Sequence, residues 1–326
     1  MASSIIVDEV GLTILPEMDG TQEVAIAAKR QGQPLQNPDR RPGEAPFVGS
    51  DLPDDAYGRI ADILREQQGF NLEGYKTLCI KRRLAGRIRS VGCHDTEDYI
   101  SRLLASRREQ EQLLAALSIH VSQFFRNPSA FYVLDQRVLP ELLEISRDTQ
   151  SKLRIWSVGC ANGEEPYSLA LLCLNRVRRG EQLSIVGTDL SPEALKRARK
   201  GLFPAERVAE VPTELLSEYF SRQGSDYQLC DRIRERVQFF RHDILSDQPF
   251  YRADLILCRN LLIYFSREQQ RRIIGILAES LLPGGYLMLG RAETLAPACR
   301  SLFRCIDPSE RIYQRTDTES LWCRIK

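Results

Sequence analysis

The stretch that most constrains this chain is Arg154-Ile155-Trp156-Ser157-Val158-Gly159-Cys160-Ala161-Asn162-Gly163-Glu164-Glu165-Pro166-Tyr167-Ser168. A short apolar run gives way to a turn with two glycines, and two acids and a proline then open a helix. That order reads as the first strand, ligand loop and helix of a Rossmann-like sheet. Gly159 and Gly163 permit a tight turn and a close backbone approach to a ligand. Proline suits the first helical turn, and Glu164 and Glu165 complement its positive end. The same acids disfavour a pyrophosphate, which needs that end clear for an anion. A ligand with cationic groups fits better, such as the amino group and sulfonium of S-adenosylmethionine. The full G-x-G-x-x-G pattern is absent, so spacing alone does not separate a ligand loop from a structural turn.

Composition narrows the classes. A length of 326 residues allows one large domain or two modest ones. The formal net charge of +1 makes no global case for nucleic acid, so any electrostatic argument must be local. Nine cysteines are scattered without a C-x-x-C pair, and Cys173 and Cys258 sit in apolar runs, the usage of reduced thiols in a cytosolic protein. Three histidines (His94, His120 and His242) argue against a histidine-rich metal site, and none is expected. No apolar run reaches membrane-spanning length, and residues 1–37 have neither a basic n-region nor an apolar h-region.

Along the chain, residues 31–55 are rich in Pro, Gly, Gln, Asp and Arg and read as flexible. Helical periodicity starts near Asp54, with Ile60, Ile63 and Leu64 on one stripe. From Tyr75 to Val91, the apolar positions Ile80, Leu84, Ile88 and Val91 mark one face. Lys76, Lys81, Arg82, Arg83, Arg87 and Arg89 occupy most of the rest, with no acid among them. Helices from about Thr96 to Ala105 and from about Arg108 to Ile119 complete an all-helical unit. After Pro140, apolar strands alternate with amphipathic helices. The expected strands are Leu153–Val158, Ser184–Thr188, Val237–Phe240, Ala253–Cys258 and Tyr286–Leu289. A terminal antiparallel pair, Phe303–Ile306 and Arg311–Arg315, follows them. The alternation implies a mainly parallel sheet with helices on both faces. The polar segment from Phe203 to Arg236 is too long for an ordinary connection and should fold as a subdomain.

By this point several blocks, in order, resemble the CheR-type protein-glutamate O-methyltransferases of bacterial chemotaxis. Tyr75-Lys76, Lys81-Arg82-Arg83-Leu84 and Arg87 look like the basic helix of that family's N-terminal domain. Ser122-Gln123-Phe124-Phe125-Arg126 is similar to its linker motif, and Gly163-Glu164-Glu165-Pro166-Tyr167-Ser168 to its most recognisable block. Gly187-Thr188-Asp189, Cys258-Arg259-Asn260-Leu261-Leu262-Ile263-Tyr264-Phe265 and Leu282-Pro283-Gly284-Gly285-Tyr286-Leu287 resemble its later strand ends. The resemblance covers roughly Asp54 to Arg315. It implies S-adenosylmethionine as methyl donor, S-adenosylhomocysteine as product and receptor glutamate carboxylates as acceptors. The chemistry suits those residues, because a carboxylate is ionised near neutral pH and needs positioning rather than a strong base.

The resemblance implies cofactor contacts at His120, Ser122, Arg126, Glu164, Asp189, Asp243, Ile244, Asn260 and Leu261. Asp189, at a strand end, would accept from ribose hydroxyls; the alternative is a helix cap, a role Ser191 can fill. Glu164 would accept from the methionine amino group, or merely complement the helix dipole. Asp243 and Ile244 would face the adenine. Arg126 would anchor the incoming carboxylate and Tyr264 would orient its oxygen, as the two catalytic residues. Tyr264 could equally be a core tyrosine.

Two departures stand out. His120 occupies a position where the family often has Asn, and Gly290-Arg291-Ala292-Glu293 replaces its frequent Gly-His-Ser-Glu. The segment Tyr219-Phe220-Ser221-Arg222-Gln223-Gly224-Ser225-Asp226-Tyr227 is short and holds a single glycine. It therefore implies no grip on a receptor's C-terminal pentapeptide.

The expected organisation is a flexible leader (1–50), a helical receptor-docking domain (51–125), a methyltransferase domain (126–316) with an inserted subdomain at about 203–236, and a tail (317–326). Lys76, Arg83 and Arg87 are the expected docking residues for the acidic helical bundle of a methyl-accepting chemotaxis receptor. A cytoplasmic monomer recruited to receptor arrays is expected, without nucleic acid and without membrane insertion. The alternatives are a catalytically weak S-adenosylmethionine-binding regulator or scaffold, and a methyltransferase acting on a different protein.

Overall fold

The computed structural model describes residues 52–93, 95–117, 122–174, 176–177, 182–248 and 252–316. The expected leader, the tail and His120 lie outside the described residues.

Among the described residues four helices come first: α1 Asp54–Gln68, α2 Thr77–Ser90, α3 Thr96–Ala105 and α4 Arg107–Leu117. Each has a reason to start or stop. Asp54 and Asp55 occupy the first turn of α1, and Gly69 ends it at φ 64°. Asp95 caps α3 by accepting from the Asp98 amide. The stripe Ile80, Leu84 and Ile88 of α2 is buried against Ile60, Leu64, Tyr99, Leu103 and Leu113. Full burial of each such aliphatic side chain is worth about 1.5–3 kcal/mol.

The basic circumference expected for α2 needs correction. Lys81 is buried and donates to the Leu52 carbonyl (2.7 Å) and the Asp54 carboxylate (2.6 Å). Arg87 forms a two-pronged bond with Glu109 of α4 at 2.8 and 2.7 Å, and Glu109 is almost wholly buried. Arg83 is half-buried and donates to the Leu117 carbonyl. The acid that neutralises α2 comes from a different helix, which is why α2 alone reads as an unbroken cationic surface. Lys76, Arg82 and Arg89 remain exposed.

A long helical run follows, α5 Pro128–Val133 and α6 Leu139–Asp148, joined through a π turn at Leu134–Val138. Pro140 explains the turn. It has no N–H and would crowd the carbonyl four residues back, and the widened turn relieves both.

The main sheet contains β1 Leu153–Val158, β2 Leu183–Asp189, β6 Val237–Arg241, β7 Ala253–Cys258, β8 Leu281–Leu289, β9 Phe303–Asp307 and β10 Ile312–Arg315. Its order is β6-β2-β1-β7-β8-β10-β9. Neighbours from β6 to β8 are parallel, and β10 is antiparallel to both β8 and β9. Helices α7 Glu164–Leu174, α8 Pro192–Lys200 and α11 Arg267–Ser280 connect the parallel strands. Chain direction across the sheet reverses at β1, between β2 and β7. Ligands of open α/β sheets bind beyond the strand ends at such a point.

The insertion forms its own three-stranded sheet, β3 Leu202–Pro204, β4 Phe220–Gln223 and β5 Asp226–Leu229, in the order β3-β5-β4. Helices α9 Thr213–Tyr219 and α10 Asp231–Arg234 flank it. Gln223 pairs with Asp226, leaving Gly224-Ser225 as a two-residue turn.

The helical unit is stitched to the sheet. Tyr75 bridges Phe265 in antiparallel fashion, the Lys76 amide donates to the Tyr264 carbonyl (2.8 Å), and the Ser266 amide to the Gly74 carbonyl (2.8 Å). The Tyr75 and Phe265 rings lie 4.5 Å apart.

Candidate active site

Two clefts meet beyond the C-terminal ends of β1, β2, β6 and β7. The first, about 880 Å³, is lined by Val158, Gly159, Asp189, His242, Asp243, Ile244, Asn260, Leu261 and Tyr264, and by Phe70, Tyr75, Cys79, Ile80, Arg83 and Leu117 of the helical unit. The second, about 560 Å³, is lined by Ser122, Gln123, Arg126, Gly159, Cys160, Ala161, Glu165, Arg259, Asn260 and Tyr264. Gly159, Asn260 and Tyr264 belong to both. Gly159 has φ 68°, and a Cβ there would stand 3.3 Å from Leu261 across the cleft.

Of the residues expected from the sequence, Asp189, Asp243, Ile244, Asn260, Leu261 and Tyr264 come together in the first cleft, and Ser122, Arg126, Asn260 and Tyr264 in the second. Arg83 joins the first cleft, whereas Glu164, Lys76 and Arg87 line neither. Lys76 Nζ donates to the Ile263 carbonyl at 2.6 Å.

Asp189 accepts from the Ala161 amide (2.9 Å) and the Ser191 amide (2.9 Å), so it shapes the loop as well as lining the cleft. Ser191 caps α8 through the Ala194 amide. A carboxylate at a strand end is the kind of acceptor that a vicinal diol needs. Asp243 accepts from the Leu245 amide (2.9 Å), and Ile244 is buried beside it.

Glu164 and Glu165 are adjacent but do different things. Glu165 accepts from Ser157 Oγ (2.8 Å) and Arg259 (3.2 Å). Glu164 is fully buried, and among the described residues neither of its carboxylate oxygens meets a donor at hydrogen-bonding geometry. Burial pushes its carboxyl above the ordinary glutamate range, opposed by backbone dipoles, the Arg207 charge and the Ser122 and Asn162 side chains. A carboxylate this deeply buried is stabilised in its ionised form by a cationic partner.

The linker into this site is held on several sides. The Phe125 amide donates to Ser168 Oγ (2.9 Å), and Arg207 of the insertion donates to the Ser122 carbonyl. Phe124 packs edge-on against Phe203 (4.8 Å) and Phe220 (5.3 Å). Phe125 and Asn127 have positive φ, 50° and 62°, which orients Arg126 between them. Tyr264 faces Arg83, whose guanidinium lies 5.4 Å from the ring centroid. Burial raises the Tyr264 hydroxyl above its ordinary range, against the pull of the Arg83 and Arg126 charges. It therefore stays a neutral donor at physiological pH.

A family model described as CheR methyltransferase, SAM binding domain matches residues 120–312, and one described as CheR methyltransferase, all-alpha domain, matches residues 55–118. The chain belongs to the CheR methyltransferase family. It is 35% identical over 233 residues to a chemotaxis protein methyltransferase of Listeria monocytogenes, covering 72% of this chain and 87% of that one. It is 30% identical over 250 residues to a chemotaxis protein methyltransferase of Borreliella burgdorferi, covering 74% and 88%. It is 36% identical over 265 residues to an uncharacterized 104.1 kDa protein of Rhodobacter capsulatus, covering 80% of this chain and 28% of that protein. The chain thus spans under a third of that larger relative.

S-adenosylmethionine is the cofactor of the CheR family's sheet domain, and the residues here fit it: a carboxylate at Asp189 and apolar side chains at Ile244 and Leu261 on the wall of the first cleft, and a buried carboxylate at Glu164. Among the described residues, no group of three His, Cys, Asp or Glu is placed to hold a metal, and no helix is long and apolar enough to cross a membrane.

Two groups central to the site were not singled out from sequence. Glu293 is buried and accepts from the amides of Asn260 (2.9 Å), Leu262 (2.7 Å) and Gly290 (2.6 Å). It holds the loop in which Asn260 takes φ 59°. Arg259 is buried as well and reaches back to the linker. Both lie inside recognisable blocks, so a buried-charge reading of those blocks was the available signal.

Proposed function

We propose that the protein transfers a methyl group from S-adenosylmethionine to glutamate side-chain carboxylates of methyl-accepting chemotaxis receptors, yielding methyl esters. The carrying observation is that Arg126 and Tyr264 line one cleft together with Asn260 and the Gly159–Ala161 loop. A guanidinium fork and a neutral phenol at that place suit a carboxylate acceptor. The names of the Listeria and Borreliella relatives support the same reading.

When bound, S-adenosylmethionine supplies an electrophilic methyl on a sulfonium. In this reading Glu164 holds the amino end, Asp189 the ribose and Ile244 with Leu261 the adenine. Ser122 hydrogen-bonds the methionine end, and Asn260 fixes the turn around it. Arg126 anchors one acceptor oxygen and Tyr264 donates to the carboxylate, setting its approach. The acceptor is already ionised, so no residue has to remove a proton. Positioning and exclusion of water by the helical wall then carry the rate. The exposed Lys76, Arg82 and Arg89 of the basic helix, and not Arg87, provide the surface for an acidic helical bundle. The two-residue Gly224-Ser225 turn supports recognition without a pentapeptide tether.

The test is incubation with labelled S-adenosylmethionine and membranes carrying candidate receptors. Base-labile label on a receptor-sized band is expected, with Arg126→Ala abolishing it while S-adenosylhomocysteine binding persists. Label that resists base, or none on any receptor, overturns the reading.

A further inference from the structure

We infer that Arg259 is a positioning residue that sets the geometry of Arg126 from behind. The inference rests on the acceptor role proposed for Arg126. Arg259 follows β7 directly, and its side chain is 2% exposed. One terminal nitrogen donates to the Arg126 carbonyl (2.7 Å) and to Asn127 Oδ1 (2.9 Å), and the other meets Glu165 (3.2 Å). Its guanidinium also lies 5.4 Å from the centroid of the Phe131 ring on α5. Glu165 is tied in turn to Ser157 of β1 (2.8 Å). A single planar cation therefore joins two sheet strands, α5 and α7 to the two-residue segment that carries the acceptor anchor.

The linker needs that brace. Phe125 and Asn127 both sit in the left-handed region, which is uncommon for residues with a Cβ and persists only when neighbours over-determine it. Arg259 supplies two of the contacts that do so, and it makes them to the main chain and side chain of neighbouring residues at once. Lysine has no planar fork and cannot meet Glu165, the Arg126 carbonyl and Asn127 together. Arg259 also lines the second cleft, but its two terminal nitrogens are committed to Glu165 and the linker, so in this scheme it makes no bond to the acceptor or the transferred group. Its effect passes through Arg126, where a displacement of about 1 Å costs on the order of 100-fold in rate.

The experiment compares Arg259→Lys, Asn127→Gly and wild type in three measurements: receptor methylation, S-adenosylhomocysteine affinity, and amide hydrogen exchange across residues 122–127. Arg259→Lys should lower kcat by about 30- to 100-fold, with cofactor affinity within about threefold and faster exchange at Phe125 and Arg126. Asn127→Gly keeps the left-handed backbone, leaves no buried charge unpaired and should reproduce a smaller part of the same pattern; it decides the matter if Arg259→Lys fails to fold. Turnover within about twofold of wild type in the folded variants overturns the inference, as does a loss of cofactor affinity equal to the loss of kcat. Wild type that methylates no receptor counts against the acceptor reading instead. Exchange then decides the brace alone: unchanged protection in Arg259→Lys overturns it, and lost protection sustains it.

Discussion

The Arg83 guanidinium of α2 lies 5.4 Å from the centroid of the Tyr264 ring that follows β7. A residue of the helical unit therefore forms part of the wall of the first cleft. The same guanidinium donates to the carbonyl of Leu117, the last residue of α4. Arg83 therefore belongs to the cleft wall and not to the exposed basic surface of α2.

That arrangement changes what charge reversal on α2 should do. Arg87→Glu sets a second acid against Glu109, whose side chain is 3% exposed, and should destabilise the fold by about 3–5 kcal/mol. Arg82→Glu alters an exposed position and should leave stability within about 0.5 kcal/mol. Thermal melts separate the two. In receptor methylation, Arg82→Glu should slow transfer at low salt, and the difference should shrink as screening shortens the reach of charge to about 8 Å at physiological ionic strength. An Arg87→Glu protein that melts like wild type contradicts the pairing described here.

Glu164 should make cofactor binding depend on pH. Burial raises its carboxyl in the ligand-free protein above the glutamate reference of about 4.3. Because the folded value is raised, the group's contribution to stability is fully present below the unfolded value and is lost as pH rises through the folded one. Glu164→Gln should therefore melt higher than wild type at neutral pH without ligand, and the two should converge in acid. A cationic ligand favours the ionised form. S-adenosylhomocysteine affinity in wild type should then fall by up to about tenfold per pH unit below the raised value, and the variant should show no such slope. Calorimetric titrations at several pH values would expose a flat wild-type profile.

Asp189 has two jobs that substitutions can separate. Asp189→Asn keeps an acceptor for one of the Ala161 and Ser191 amides and turns an NH2 toward the other, whereas Asp189→Ala strips both of their acceptor. Both should weaken S-adenosylhomocysteine binding by about 1–3 kcal/mol, and both should lose some thermal stability. Unchanged affinity in folded Asp189→Asn would remove the ribose role and leave only the loop.

The elements that sequence reading located are those whose signals are local. β1 and β7 are mostly apolar segments bounded by turns, and α8 lies between a Ser191-Pro192 start and a Gly201 stop, so their bounds follow from neighbours in the chain. The helical run through Pro140 was missed because proline reads as a break, and only the π turn reconciles it with a helix. β8 starts at Leu281, earlier than the expected Tyr286, because pairing with β7 continues across an irregularity at Pro283-Gly284-Gly285. At the site, Asp189 and Asn260 were visible as polar residues at strand ends. The different fates of Glu164 and Glu165 were not, because one acid is claimed by Arg259, 94 residues away. The pairing of Arg87 with Glu109, 22 residues on, was hidden for the same reason.

Glu293 offers the sharpest test of how the loop after β7 is built. Its carboxylate gathers the amides of Asn260, Leu262 and Gly290 at 2.6–2.9 Å, while burial raises its carboxyl and those same amides pull it back. Asn260 is at φ 59°, so the loop turns sharply just where it borders both clefts. Gln in place of Glu293 keeps the shape but turns an amide donor toward one or more main-chain donors, and should cost about 2–3 kcal/mol of stability. Gly290 is packed into the same knot: a Cβ there would meet Glu293 Oε2 at 2.7 Å and the Asn260 nitrogen at 2.9 Å. Gly290→Ala should therefore push the carboxylate off its donors without removing it. Both variants should lose turnover and S-adenosylhomocysteine affinity together, because Asn260 and Tyr264 lie on the displaced loop. That joint loss distinguishes them from Arg126→Ala, in which turnover falls and affinity holds. If Gly290→Ala binds S-adenosylhomocysteine as wild type does, the loop tolerates the displacement and Glu293 is a stabilising contact with no hold on the site.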